Sequence, residues 1–71
     1  MPSATAADLD HFIPAAEVRR LLGVGKTTLH RMVKRGEFPP PVKLGSRSAW
    51  PASDYARWVE ERKAERDARA A

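Results

Sequence analysis

Gly25, Lys26 and Thr27 stand together in the stretch LLGVGKTTLHR and match the last residues of a P-loop, the phosphate-binding loop of nucleotide-hydrolysing proteins. A P-loop has the pattern GxxxxGK followed by Ser or Thr, and its first glycine opens the turn that directs backbone N–H groups at the phosphates. Arg20 occupies that first position here, and the residues before Gly25 have a helical pattern. We therefore predict that these residues do not bind a nucleotide.

The same residues suit a different phosphate chemistry. If Gly25 is the N-cap of a helix, residues 26–28 lie in its first turn, where backbone N–H groups and threonine hydroxyls can hold a phosphate of a nucleic-acid backbone. The segment 14–50 carries eight basic residues against two acidic ones, a balance of +6, whereas the whole chain is +4. This local concentration of positive charge predicts a surface that binds a polyanion.

Two short helices with three residues between them are predicted around the motif. The first covers about 15–22, has apolar residues at helical spacing and ends at Gly23. The second covers 26–35 and ends at Gly36. Two helices of this size, joined by a short turn that contains glycine, are typical of a helix-turn-helix.

The second helix has an apolar side and a basic side. At 100° per residue, its apolar residues Leu29, Met32 and Val33 fall on one side. The opposite side carries Thr27, Arg31 and Lys34, flanked by His30 and Arg35. We expect Arg31 to contact bases, because its guanidinium matches O6 and N7 of guanine, and Lys34 and Arg35 to contact phosphates. An ordinary solvated helix face is the alternative.

A β-hairpin, or wing, is predicted after the second helix. The three prolines at 39–41 exclude helix, residues 42–44 alternate like a strand, and 47–50 return as its partner after a turn at Gly45 and Ser46. The candidate nucleic-acid contacts in the wing are Lys43, Ser46, Arg47 and Ser48, and those in the second helix are Lys26, Thr27, Thr28, His30, Arg31, Lys34 and Arg35. On the first helix, Arg19 and Arg20 either contact the flanking backbone or lie on an ordinary exposed face.

These elements predict a mainly α fold with a small β-hairpin, a winged helix-turn-helix domain at residues 12–62. A last helix begins around 51–53. Residues 1–11 are predicted to be a disordered lead-in, and residues 63–71 a charged tail that is helical at first and frayed at its end. The aromatic residues Phe38, Trp50, Tyr55 and Trp58 are expected in the core rather than as stacking platforms.

The chain from residue 12 to about 62 resembles the AlpA-like family of phage and prophage regulators and excisionases, which are MerR-like winged helix-turn-helix proteins. The similarity lies in VRRLLGVGKTTLHRMVKRGEFPPPVKL, which begins at Val18, in GSRSAW, and in the helix with Tyr55 and Trp58. The segment GEFP, with the following PVKL and the tryptophan, is its most specific part. The family usually has serine at the position of Gly25 and commonly an aromatic residue at that of His30.

The resemblance implies binding of double-stranded DNA, with the second helix in the major groove and the wing against an adjacent groove or the backbone. It implies either a transcriptional regulator of a mobile element or an excisionase, a recombination directionality factor whose further partner is an integrase. Self-association on adjacent sites is expected, because one such module buries only about 600–1,000 Å². An adaptor or antirepressor that binds an acidic protein through the basic face is the alternative.

Other classes of function find little support in the sequence. We find no combination of histidine, carboxylate and nucleophile that the predicted elements would bring together, so we expect no enzyme activity and no cofactor. The second histidine, His11, lies far from His30 in the lead-in, so no metal site is expected. The residues at the start of the chain lack the basic character of a secretory signal, and we expect a protein of the bacterial cytoplasm, on the nucleoid when bound.

Overall fold

The computed structural model describes residues 11–70. Helices and strands follow one another in the order β1 (Phe12–Pro14), α1 (Ala15–Leu22), α2 (Lys26–Lys34), β2 (Val42–Leu44), β3 (Arg47–Pro51) and α3 (Ala52–Ala70). Three helices with a small antiparallel sheet confirm the predicted fold class, and the limits of α1 and of the wing strands differ from the predicted ones by a residue at most.

The sheet has three strands rather than the two of the predicted wing. Its order is β1-β3-β2, all antiparallel, with Ile13 opposite Trp50 and Lys43 opposite Ser48. The sequence does not predict β1, because a proline at position 14 is also typical of the first turn of a helix. Pro14 is instead the last residue of β1 and the N-cap of α1, with φ −63° and ψ 154°. β2 is equally short, but the prolines before it and the turn at Gly45 and Ser46 predict a hairpin there, whereas no turn residue follows β1.

The core is built around Phe38, which is 2% exposed and lies between two tryptophans. Its ring packs edge-on against Trp50 at 5.5 Å and against Trp58 at 5.0 Å between centroids. Both indole N–H groups donate to the backbone beside Phe38, Trp50 to the carbonyl of Pro39 and Trp58 to that of Glu37, each at 2.7 Å. The prediction that these aromatic residues form the core is confirmed.

The helix-turn-helix packs on this core through one side of each helix. Val18 of α1 is fully buried and Leu29 of α2 is 4% exposed, while Met32 and Val33 are partly buried against the same cluster. The predicted apolar stripe of α2 is therefore confirmed. Leu21, which the helical spacing grouped with the apolar residues of α1, is 43% exposed.

The last helix continues well beyond the core. Tyr55 and Trp58 pack against the core cluster, whereas residues 60–70 are all exposed. The helix α3 runs unbroken to Ala70, and ion pairs one turn apart stabilise it: Lys63 with Glu60 at 3.2 Å and Arg62 with Glu65 at 2.9 Å. Fraying at the end of the tail stays a prediction.

Two parts of the predicted domain organisation are not decided by this geometry. The division between a domain at 12–62 and a tail at 63–71 stays a prediction. Residues 1–10, which the sequence assigned to a disordered lead-in, lie outside the described residues.

We predict that Phe38→Ala lowers the free energy of unfolding by about 3–5 kcal/mol, because it removes the ring that both tryptophans contact. A core this small cannot absorb that loss, so the variant should be largely unfolded. Phe12→Ala is the matched control, since Phe12 is 47% exposed and should tolerate the same change. Thermal melting by circular dichroism measures both variants. Equal destabilisation of the two would contradict the central role of Phe38.

Candidate nucleic-acid interface

The turn before α2 is fixed by a Schellman motif at the end of α1. Gly23 has φ 68°, and its N–H donates to the carbonyl of Arg20 at 3.3 Å, while the N–H of Val24 donates to that of Arg19 at 3.0 Å. Val24 then packs against the core. The left-handed conformation explains why glycine stands at this position. The turn sets the direction in which α2 leaves α1.

The residues Gly25, Lys26 and Thr27 form the start of α2, as predicted. Gly25 is the N-cap, with φ −83° and ψ 175°, and its carbonyl accepts from the N–H of Leu29 at 3.0 Å. It offers no side chain to cap the free N–H groups of the first turn. A P-loop requires a strand before its glycine-rich loop, whereas here α1 precedes the motif. The first turn of α2 therefore presents N–H groups to an outside acceptor.

One side of α2 gathers five of the predicted contact residues on a shallow surface depression: Lys26, Thr27, His30, Arg31 and Lys34. All five are exposed. Thr28 and Arg35 are also exposed but do not line this depression, and Arg35 is the C-cap rather than the last helical residue. A second Schellman motif at Gly36, with φ 76°, ends α2. The depression therefore lies on the exposed side of α2, and the opposite side of this helix packs in the core.

The wing contributes its predicted residues from two different faces. Lys43 and Ser48 are opposite each other in the β2–β3 ladder, and the ammonium of Lys43 donates to the hydroxyl of Ser48 at 3.1 Å. Both line a cleft with Lys26 and His30 of α2. Arg47 is one residue further toward the tip, so its side chain leaves the opposite face of the sheet.

Arg47 therefore does not join the α2 cluster. It lines a separate, largely apolar depression with Phe12 and Leu44. Ser46 is exposed in the turn at the tip of the wing, next to Gly45, which has φ 67°.

The basic residues of α2 and the wing lack acidic neighbours. Among residues 11–70, no ion pair engages any of these six: Lys26, Arg31, Lys34, Arg35, Lys43 and Arg47. Most charges of α3 are paired with one another, for example Lys63 with Glu60 and Arg66 with Asp67. The net positive charge thus appears on one part of the surface, where it is available to a polyanion.

The two arginines of α1 differ in their surroundings. Arg20 is exposed and donates to Glu17 through Nε at 3.0 Å and through a second nitrogen. These hydrogen bonds lower the pKa of Glu17 and raise the pKa of Arg20. Arg19 is half-buried and lines the cleft that Lys26 and Lys43 share. The spacing of Glu17 and Arg20 favours their ion pair, whereas the place of Arg19 in the cleft depends on the position of the wing and has no signal in the sequence.

The part of the chain that the structure describes contains neither a candidate metal site nor a candidate membrane span. Its His, Asp and Glu side chains form no group of three that could hold a metal ion. Within residues 11–70, the helices are too short or too polar to cross a membrane.

Comparison with known proteins identifies the class. A family model described as a helix-turn-helix domain matches residues 15–63, which include all three helices in part or whole and the wing. The chain belongs to this helix-turn-helix domain family, and α1 and α2 are the two helices of the motif. Helix-turn-helix domains are DNA-binding domains and are typically non-enzymatic.

One relative comes from a phage. The uncharacterized protein ORF88 of Enterobacteria phage P4 is 36% identical over 51 residues, or 70% of this chain. The chain spans 58% of the length of that relative. No solved structure matches.

The geometry of the turn predicts opposite outcomes for one substitution at two neighbouring glycines. Gly23→Ser should cost about 1–2 kcal/mol, because serine must adopt a left-handed conformation. Gly25→Ser should be neutral or stabilising by a few tenths of a kcal/mol, since Gly25 has an ordinary extended φ and the hydroxyl can cap the first turn of α2. Neither site is crowded within 4 Å. Urea denaturation measures both, and a loss at Gly25 as large as that at Gly23 would contradict the assigned turn.

Proposed function

We propose that this chain is a sequence-specific double-stranded DNA-binding protein of a phage or other mobile element. In this proposal α2 enters the major groove and the wing lies against the adjoining backbone or groove. The observation that carries it is a contrast in charge pairing. The basic residues of α2 and the wing are exposed and have no ion-pair partner among residues 11–70, whereas four of the five basic residues of α3 are in ion pairs.

The helix-turn-helix geometry supports distinct roles for the residues of α2. Thr27 lies in the first turn of α2 and Arg31 in the middle of the helix, both on its exposed side. A helix in the major groove approaches base edges with these positions. Arg31 is assigned to base contact, since a guanidinium can bind guanine through two hydrogen bonds. Lys34 and Arg35, near the end of the helix, are assigned to phosphates, and His30 to a base or a phosphate.

The wing residues and the start of α2 are assigned to the DNA backbone. Lys26 and Thr28 lie in the first turn, where free N–H groups and the positive end of the helix favour a phosphate. Lys43 and Ser48 face α2, whereas Arg47 and Ser46 are at the tip of the wing. Arg47 is therefore assigned to a different part of the DNA from the part that Lys43 contacts.

The biological role proposed for this binding is that of an excisionase or an AlpA-type transcriptional regulator. The resemblance of the segment from Val18 to Leu44 to that family and the similarity to a phage protein support an origin in a mobile element. An excisionase would also work with an integrase, and copies would associate on adjacent sites. Excision in vitro by the integrase of the same element, with and without this protein, distinguishes the two roles.

The binding proposal is tested with a duplex selected by the protein from a random-sequence pool. Roughly five to seven phosphate contacts should make log affinity fall with log salt concentration by about 0.9 per contact. A pool without any enriched sequence, together with a flat salt dependence, would contradict the proposal. That result is the one expected of an adaptor that binds an acidic protein.

Substitutions in α2 should separate base contact from phosphate contact. Arg31→Ala is expected to weaken binding to the selected duplex about 10-fold or more and to change binding to random DNA much less. Lys34→Ala is the matched comparison on the same exposed side, and it should weaken both and reduce the salt slope by about 1. Fluorescence anisotropy at several salt concentrations measures these effects. Equal losses for the two variants on both DNAs would contradict the assigned roles.

A further inference from the structure

A cleft of about 380 Å³ lies where α1, α2 and the wing meet. Its floor is apolar and includes Leu29 and Trp50, which are part of the core. Polar and basic side chains from the three elements surround it: Arg19, Lys26, His30, Lys43 and Ser48. The cleft thus combines an apolar floor with a basic edge.

Three cations reach this cleft from three separate elements, Arg19 from α1, Lys26 from α2 and Lys43 from the wing. No acidic residue lines it, and no ion pair within residues 11–70 engages any of the three. Like charges held close together repel one another, so their arrangement is stabilised when an anion lies between them. The site therefore favours a ligand with negative charge.

The position of the cleft indicates which ligand group supplies the negative charge. Lys26 and His30 line both the cleft and the depression on the exposed side of α2. If that side of α2 enters the major groove, the cleft lies at the edge of the groove, where the sugar–phosphate backbone runs. The apolar floor can pack against the carbon atoms of a deoxyribose, whereas a basic surface alone would attract only the phosphate.

We propose that this cleft binds one phosphodiester of the DNA backbone with its neighbouring deoxyribose, and that Arg19 is a DNA-binding residue. The inference rests on the proposed function, because it requires α2 in the groove. Arg19 is half-buried, so its side chain loses less rotational freedom on binding than a fully exposed arginine would. Arg20, the next residue, is held by Glu17 and lies outside the cleft.

The neighbouring arginines provide a matched pair of variants. Arg19→Gln should weaken binding to the selected duplex and to random DNA alike, by about 10-fold at low salt, and should reduce the salt slope by about 0.9. Arg20→Gln should leave affinity within about 2-fold of the wild-type protein. Arg19→Lys should keep the salt slope, because it keeps the charge. Circular dichroism checks that each variant is folded.

A second measurement identifies the phosphate. Single phosphates of the duplex are replaced one at a time by uncharged methylphosphonates. At one position the substitution should weaken the wild-type protein and the Arg20→Gln variant clearly more than the Arg19→Gln variant, since that variant has already lost one of the three cations that surround the phosphate.

The outcomes distinguish this inference from the proposed function. If the wild-type protein binds the duplex with a steep salt dependence but Arg19→Gln and Arg20→Gln behave alike, the cleft proposal is wrong and DNA binding stands. The same conclusion follows if no methylphosphonate position distinguishes the Arg19→Gln variant. If the wild-type protein itself shows no salt-dependent DNA binding, both proposals fail.

Discussion

The contact of Phe38 with Trp50 and Trp58 is the interaction on which the rest of the domain depends. These three rings come from the segment after α2, from β3 and from α3, so one aromatic cluster joins the elements that follow the helix-turn-helix. The two indole hydrogen bonds to the carbonyls of Glu37 and Pro39 fix the backbone on both sides of the phenylalanine. Because that segment links α2 to the wing, the cluster sets the distance and angle between them.

This placement decides which charges are available to a ligand. Leu29, on the inner side of α2, is part of the core, so Arg31 and Lys34 face outward. Trp50 of β3 is also part of the core, so Ser48, two residues before it, and its cross-strand partner Lys43 face α2. Exposed ion pairs such as those of α3 contribute little to stability, but they neutralise that helix. A polyanion is therefore attracted to the helix-turn-helix and the wing rather than to the last helix.

Much of the fold could be predicted from the sequence because its boundaries are local features. Gly23 and Gly36 end α1 and α2, and Leu29 begins the apolar stripe whose spacing predicts α2. The strand β1 could not be predicted, because no turn joins it to a partner strand and it forms by pairing with β3, which is distant in the sequence. The exposure of Leu21 and the place of Arg19 in the cleft likewise depend on which elements pack against α1. Residue types and spacing predicted the candidate contacts, but only the structure shows that Arg47 is separated from Lys43.

The central claim is that DNA contacts α2 and the wing while α3 stays free. Amide chemical shifts of the ¹⁵N-labelled protein, followed during titration with the selected duplex, test it most directly. The largest changes are expected in Lys26–Lys34 and Val42–Leu44 and at Arg47 and Ser48, with residues 60–70 nearly unchanged. Changes concentrated in the exposed part of α3, with α2 unaffected, would contradict the claim.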